Sequence, residues 1–180
     1  TLPNHAPLGP RQMAATVKII PFAVPDAAVR RWEALATADS LALAPFAASR
    51  CHLVQTRLEG MKESILDKTT QVLAARLATV GARFTGETRC SHDATSVARA
   101  ISQLLTDEQP DLLVLAGASA VTDRRDVLPA AIEQAGGEVL HFGMPVDPGN
   151  LLVTGRIGAM QVIGMPGCAR SPKLNGFDWV

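Results

Sequence analysis

Small residues, hydroxyls and a carboxylate crowd into one short stretch of the chain. Ala116-Gly117-Ala118-Ser119-Ala120-Val121-Thr122 follows a continuous apolar run, and Asp126 comes soon after. Glycine and alanine let the backbone approach a ligand closely, and the free N–H groups at a helix start can hold an anion. Ser119 and Thr122 add hydroxyls. The same small residues also serve packing at strand–helix turns, so both readings stand. The Gly-Lys-Ser/Thr ending of a nucleotide P-loop is missing. Asp126 sits where a helix starts, a position that also suits the helix dipole, and Asp93 has the look of an N-cap. Asp147-Pro148-Gly149-Asn150 reads equally well as a plain turn. Gly164-Met165-Pro166-Gly167 can either expose backbone donors or only punctuate a turn. No Ser-His-Asp or Cys-His set has a context that argues for covalent catalysis. The residues alone point to a site for an anion or a nucleotide-like ligand.

Bulk properties narrow the partners. The 180 residues carry 17 basic and 17 acidic side chains, which leaves no excess charge to hold a nucleic acid. No apolar run approaches the ~20 residues needed to span a bilayer, and the first residues lack a signal-peptide pattern. Three cysteines, Cys51, Cys90 and Cys168, form neither a disulfide framework nor a zinc pattern, which fits reduced thiols in the cytoplasm. His5, His52, His92 and His141 are scattered, so no metal site is expected. A chain that begins at Thr1 reads as a piece of a longer protein.

The elements that must position these groups follow from periodicity. Ala14–Ile20 reads as a strand stopped by Pro21, and Pro25-Asp26 opens a short helix with Val29, Trp32 and Leu35 spaced three apart. Residues 36–49 read as a connector. Then strands at 52–55, 82–87, 111–115 and 138–142 alternate with helices at 64–80, 93–105 and 125–135. Gly81 and Gly136-Gly137 end two of the helices. Leu151–Thr154 and Met160–Ile163 flank Gly155-Arg156-Ile157-Gly158, a hairpin signal. The expected fold is α/β: a three-layer sandwich with a mainly parallel sheet and a β-hairpin near the C-terminus. Expected domains are an N-terminal strand–helix segment and connector (1–48), the main domain (49–172), and a linker (173–180).

These motifs together resemble the molybdopterin-binding domain of molybdenum cofactor biosynthesis. The resemblance rests on Gly117-Ala118-Ser119-Ala120-Val121-Thr122 with Arg125-Asp126-Val127-Leu128-Pro129. It also rests on Ser91-His92-Asp93, Gly136-Gly137-Glu138-Val139-Leu140, Pro148-Gly149-Asn150, Gly155-Arg156 and Gly164-Met165-Pro166-Gly167, in that family's order. It covers roughly Cys51 to Pro172. The flanks, Ala15–Phe22 and Ser171–Asp178, resemble a fusion in which such a domain precedes a molybdenum-cofactor cytidylyltransferase-like domain.

The resemblance implies a pterin ligand, molybdopterin or the finished molybdenum cofactor, with Mg²⁺ and a nucleotide if the domain is catalytic. It implies ligand contacts at Gly117, Ala118, Ser119 and Thr122, and a pocket lined by Pro148, Gly149, Asn150, Pro166 and Gly167. It places Asp126 and Asp93 where the family has functional carboxylates, and it implies a homo-oligomer, dimer or trimer. Three departures stand against it. Ala118 replaces the second glycine, Thr56-Arg57-Leu58-Glu59 lacks the first-strand glycine, and Asp147 or Asn150 stands where a lysine is usual. Losing glycine narrows backbone approach, and losing a cation weakens anion binding. Cofactor binding is therefore the expected function, with an active adenylyl- or molybdenumtransferase and a degenerate oligomerisation module as alternatives.

Overall fold

The computed structural model describes the whole chain except residues 1, 17, 19, 20, 37–40 and 48. It divides into two compact units, Thr1–Ala44 and Pro45–Val180, so the division falls inside the stretch read as a connector. In the first unit helix α1 spans Asp26–Leu35 behind Pro25 at the N-cap. Asp26 pairs with Arg30 one turn on, and no residue of the helix is buried. Residues 14–16 and 18 of the expected strand are irregular, and Val17, Ile19 and Ile20 lie outside the described residues.

The second unit alternates strands and helices: β1 Arg50–Arg57, α2 Glu63–Thr79, β2 Arg83–Ser91, α3 Ala94–Asp107, β3 Leu112–Ala116, α4 Val127–Gln134, β4 Glu138–Phe142, β5 Val153–Ile157 and β6 Met160–Met165. Two 3-10 turns, Gly167–Arg170 and Gly176–Trp179, follow. The six strands form one sheet in the order β2-β1-β3-β6-β5-β4. β2, β1, β3 and β6 pair in parallel, while β5 runs antiparallel to both β6 and β4.

Alternation along the strands sorts the core onto two faces. Leu113 and Leu115 of β3 face α3 and α4, where Val97, Ile101, Leu128 and Ile132 are buried with Val54, Val153 and Val162. Val114 and Ala116 face the other way, toward Leu73 and Leu77 of α2, with Cys51, Leu53, Met165 and Ala169. Helices thus cover both faces of a mostly parallel sheet, the expected three layers. That double cover explains why β3 reads as an unbroken apolar run. Among the described residues no helix is long and apolar enough to cross a membrane.

Several element boundaries differ from the sequence reading: β1 is longer at both ends than 52–55, β5 starts and ends later than 151–154, and two further differences have clear causes. β2 continues past Glu87 to Ser91, because its polar end pairs along the full length of β1 as far as Arg57↔Ser91. The hairpin turns at Gly158-Ala159, with Gly158 at φ 58°, rather than over 155–158. Gly155 stays inside β5 because the sheet is tight there: a Cβ would lie 2.7 Å from the Glu138 carbonyl oxygen.

The C-terminal residues are tied to α2 by one side chain. Arg76 donates to Asp178 Oδ1 at 2.6 Å and to the carbonyls of Ala169 at 2.6 Å, Ser171 at 2.9 Å and Lys173 at 3.2 Å. Its guanidinium also lies over the Phe177 ring at 5.7 Å. Asn175 caps the last turn in a reciprocal box with Asp178. Burial pushes the Asp178 carboxyl up, but hydrogen bonds from Arg76 and the Asn175 N–H outweigh it and hold it below the ordinary value. A depressed folded pKa adds stability that is present above the unfolded value, ~3.9, and lost as pH falls through the folded one. Asp178→Asn should cost about 1–3 kcal/mol in urea unfolding at neutral pH. The gap from wild type should close as the pH drops below about 4.

Candidate functional site

Parallel pairing brings four strand ends to one edge of the sheet. Arg57 lies beside Ser91, Gln55 beside Ala116, and Ala116 beside Met165. Three of the segments that leave those strands are His92-Asp93, the Gly117–Thr122 loop and Pro166-Gly167. They emerge together at the carboxyl edge, where open α/β sheets bind ligands.

The Gly117–Thr122 loop is anchored from below by Thr56, a fully buried residue near the end of β1. Ala118 N–H donates to Thr56 Oγ1 at 2.7 Å. The same oxygen lies 2.8 Å from His92 Nδ1, and His92 Nε2 lies 2.7 Å from Ser119 Oγ. Three segments distant in sequence are therefore joined through one hydroxyl and one imidazole. Burial pushes the His92 pKa below its ordinary value, against the pull of the nearby Asp93 and Asp126 carboxylates. The ring is neutral at physiological pH.

The two candidate carboxylates are both ionised and both employed. Asp126 stands at the N-cap of α4, yet its side chain turns back on the loop rather than into the helix. Its Oδ2 accepts from the backbone N–H groups of Thr122 at 2.6 Å and Asp123 at 2.9 Å, and from Thr122 Oγ1 at 3.3 Å. The Asp123 and Thr122 N–H groups hold its pKa below the usual carboxylate range. Asp93 caps α3 by accepting from Ser96 N–H at 2.8 Å, and that bond lowers its pKa in the same sense. Asp93 is thus the helix cap.

On the other side of the loop stands a cation. Arg170 donates to the Gly117 carbonyl at 2.7 Å and to Thr69 Oγ1 at 3.1 Å. Among the described residues it has no carboxylate in salt-bridge range. Burial pulls its pKa below the ordinary arginine value. Arg170 also lines a cavity of about 490 Å³ with Ser64, Ile65 and Lys68 of α2 and with Gly167, Cys168 and Ser171. Gly117 is confined by its surroundings: a Cβ would lie 2.9 Å from the Ser119 carbonyl oxygen and 3.3 Å from Leu128 Cδ1.

The structure thus gathers Gly117, Ala118, Ser119, Thr122, Asp93 and Asp126 around one loop. Gly167 lines the cavity beside Arg170, and Pro166 before it is buried. Pro148 and Gly149 pack against the tail instead, and the Asn150 carbonyl accepts from Met144 N–H. Pro148 accepts from Gly176 N–H at 2.9 Å, and a Cβ on Gly149 would collide with the Gly176 backbone nitrogen. Sequence reasoning did not single out Thr56, His92 as a ring, Lys68 or Arg170 as site residues. The parallel register was the signal for Thr56, because it sets the end of β1 beside the end of β3. Arg170 had none, being 53 residues from the carbonyl it holds.

Comparison with known proteins agrees with this geometry. Residues 33–176 match the family described as "Probable molybdopterin binding domain". The chain belongs to that family. No curated protein matches it significantly. Among solved structures, one described as molybdenum cofactor biosynthesis protein B is similar over 71% of this chain and 84% of its own, with 21% identity and a TM-score of 0.50. The molybdopterin biosynthesis enzyme MoaB from Thermus thermophilus is similar over 69% of this chain and 82% of its own, with 16% identity and a TM-score of 0.51. At those identities the likeness establishes the fold.

The Thr56 anchor can be tested without a ligand. Thr56→Val keeps the shape of the side chain but strands the buried Ala118 N–H and removes the partner of His92. It should cost about 1–3 kcal/mol in urea unfolding. A variant as stable as wild type would show that the hydroxyl does not hold the loop.

Proposed function

We propose that this domain binds molybdopterin, or the finished molybdenum cofactor, at the carboxyl edge of its sheet. In this reading it holds the pterin during cofactor biosynthesis or maturation, for a covalently linked cytidylyltransferase-like domain. One observation carries the reading. The Gly117–Thr122 loop is fixed on one side by Thr56 under Ala118 and on the other by Arg170 on Gly117, and Ser119 is left exposed. Such preorganisation lowers the cost of ordering a loop around a ligand. Gly117, Ala118, Ser119 and Thr122 are the proposed contacts. Gly167 lines the neighbouring cavity, with Pro166 before it in the chain, and Pro148, Gly149 and Asn150 are the proposed, more distant rim. Arg170 and Lys68 supply the positive charge that the Asp147–Asn150 turn lacks.

A second reading, a transferase that adenylylates molybdopterin or inserts molybdate, draws support from the two ionised carboxylates facing His92. Among the described residues no three His, Cys, Asp or Glu side chains gather to hold a metal ion. Asp126 would be the residue to hold Mg²⁺. In that role the cation would offset charge on the phosphate. ATP- or molybdate-dependent turnover by the domain would favour this reading over simple binding.

Calorimetric titration of the purified protein with molybdopterin tests the site. Ser119→Ala, which loses one hydrogen bond to the ligand, and Asp126→Ala, which releases the Thr122 and Asp123 N–H groups that shape the loop, should each weaken binding by at least about 5-fold. Unchanged affinity in both variants would remove the ligand from this loop.

A further inference from the structure

The hydrogen bonds around His92 can be satisfied in one way. Thr56 is fully buried, and its hydroxyl has two partners among the described residues: the Ala118 N–H and His92 Nδ1. The amide must donate, so it takes a lone pair of Oγ1. The single hydroxyl proton is then left to point at Nδ1, which must be an unprotonated acceptor. A neutral imidazole with a bare Nδ1 carries its proton on Nε2. That proton faces Ser119 Oγ at 2.7 Å. Ser119 therefore receives a hydrogen bond from the ring and keeps its own proton for something else. The opposite tautomer would orphan the Thr56 proton inside the sheet edge. Burial holds the ring in its neutral form, and the Asp93 and Asp126 carboxylates that face it do not reverse this.

We propose that His92 is a positioning residue that fills one lone pair of the Ser119 hydroxyl and leaves its proton free to be donated to the ligand. The order of polarity runs outward from the sheet: Thr56 donates to His92, His92 donates to Ser119, and Ser119 donates to whatever enters. The ligand group that meets Ser119 is then an acceptor, such as a carbonyl or phosphate oxygen or a bare ring nitrogen. An N–H presented there would find one lone pair of Oγ already taken by His92, so an acceptor that meets the free proton is the favoured partner. Arg170 and Thr56 set the backbone of the loop, whereas His92 sets the direction of one proton on it. This assignment rests on the reading of the Gly117–Thr122 loop as the pterin site.

Two measurements on the full chain test it. A long-range ¹H–¹⁵N NMR spectrum of the labelled wild type, near neutral pH, reads the tautomer. The His92 signals are identified by their loss in His92→Gln. A protonated Nε2 with a bare Nδ1 is expected, and a protonated Nδ1 overturns the proposal. Calorimetry with molybdopterin reads the consequence. His92→Ala should bind about 5- to 10-fold more weakly, no further weakened by adding Ser119→Ala. His92→Gln, whose amide reaches Ser119 from about the same place as Nε2, should recover affinity to within about twofold of wild type. Wild-type affinity in His92→Ala, or no recovery in His92→Gln, overturns the positioning role and leaves the binding site standing. A wild type that binds no molybdopterin removes the proposed function instead, and the tautomer still decides whether Ser119 is a set donor.

Discussion

The site depends on one buried hydroxyl. Thr56 lies inside the sheet edge with no exposure, and it is the meeting point of the β1 end, the loop after β3 and the segment after β2. A buried hydroxyl without partners is expensive, so the fold must bring partners to it. The partners it brings are the Ala118 amide and the His92 ring. Parallel pairing makes this possible, since β2, β1 and β3 end side by side only when their registers agree. The chemistry at Ser119 is thus a consequence of strand register.

Arginines do the corresponding work on the other face. Arg170 holds the Gly117 carbonyl from the cavity side, and Arg76 holds the segment that carries Arg170. Arg76 bonds the carbonyls of Ala169 and Ser171, on either side of Arg170 in the chain. The planar guanidinium suits such a task, because several donors in a fixed fork can satisfy several carbonyls at once. The C-terminal turns are in this way part of the site's support. The polarity of the loop is also two-sided, with carboxylates and a neutral imidazole on one flank and an arginine on the other. A ligand with chemically different ends, such as a pterin bearing a phosphate, matches that arrangement better than a uniform anion does.

Much of the fold could be read from the chain because burial leaves a local record. The apolar run at Leu112–Leu115, the period of α2 and the glycines after α2 and α4 each follow from what their own neighbours require. The polar half of β2 left no such record, since its place is set by pairing with β1 rather than by its own side chains. The same distinction holds at the site. Ser119, Thr122, Asp93 and Asp126 are visible because hydroxyls and carboxylates near a glycine turn are suggestive in themselves. Thr56 and Arg170 act across 62 and 53 residues, and nothing adjacent to them in sequence foretells the carbonyl or amide they meet. Pro148-Gly149-Asn150 shows the reverse case, a turn with a suggestive composition whose close contact is the tail glycine, Gly176.

Hydrogen–deuterium exchange of the full chain, with and without molybdopterin, would test the central claim most directly. Binding at the carboxyl edge should slow exchange in three separate segments together: residues 92–93, 117–122 and 166–170. Slowing confined to one of them, or located at the opposite edge of the sheet around the Gly158-Ala159 turn, would contradict the site described above.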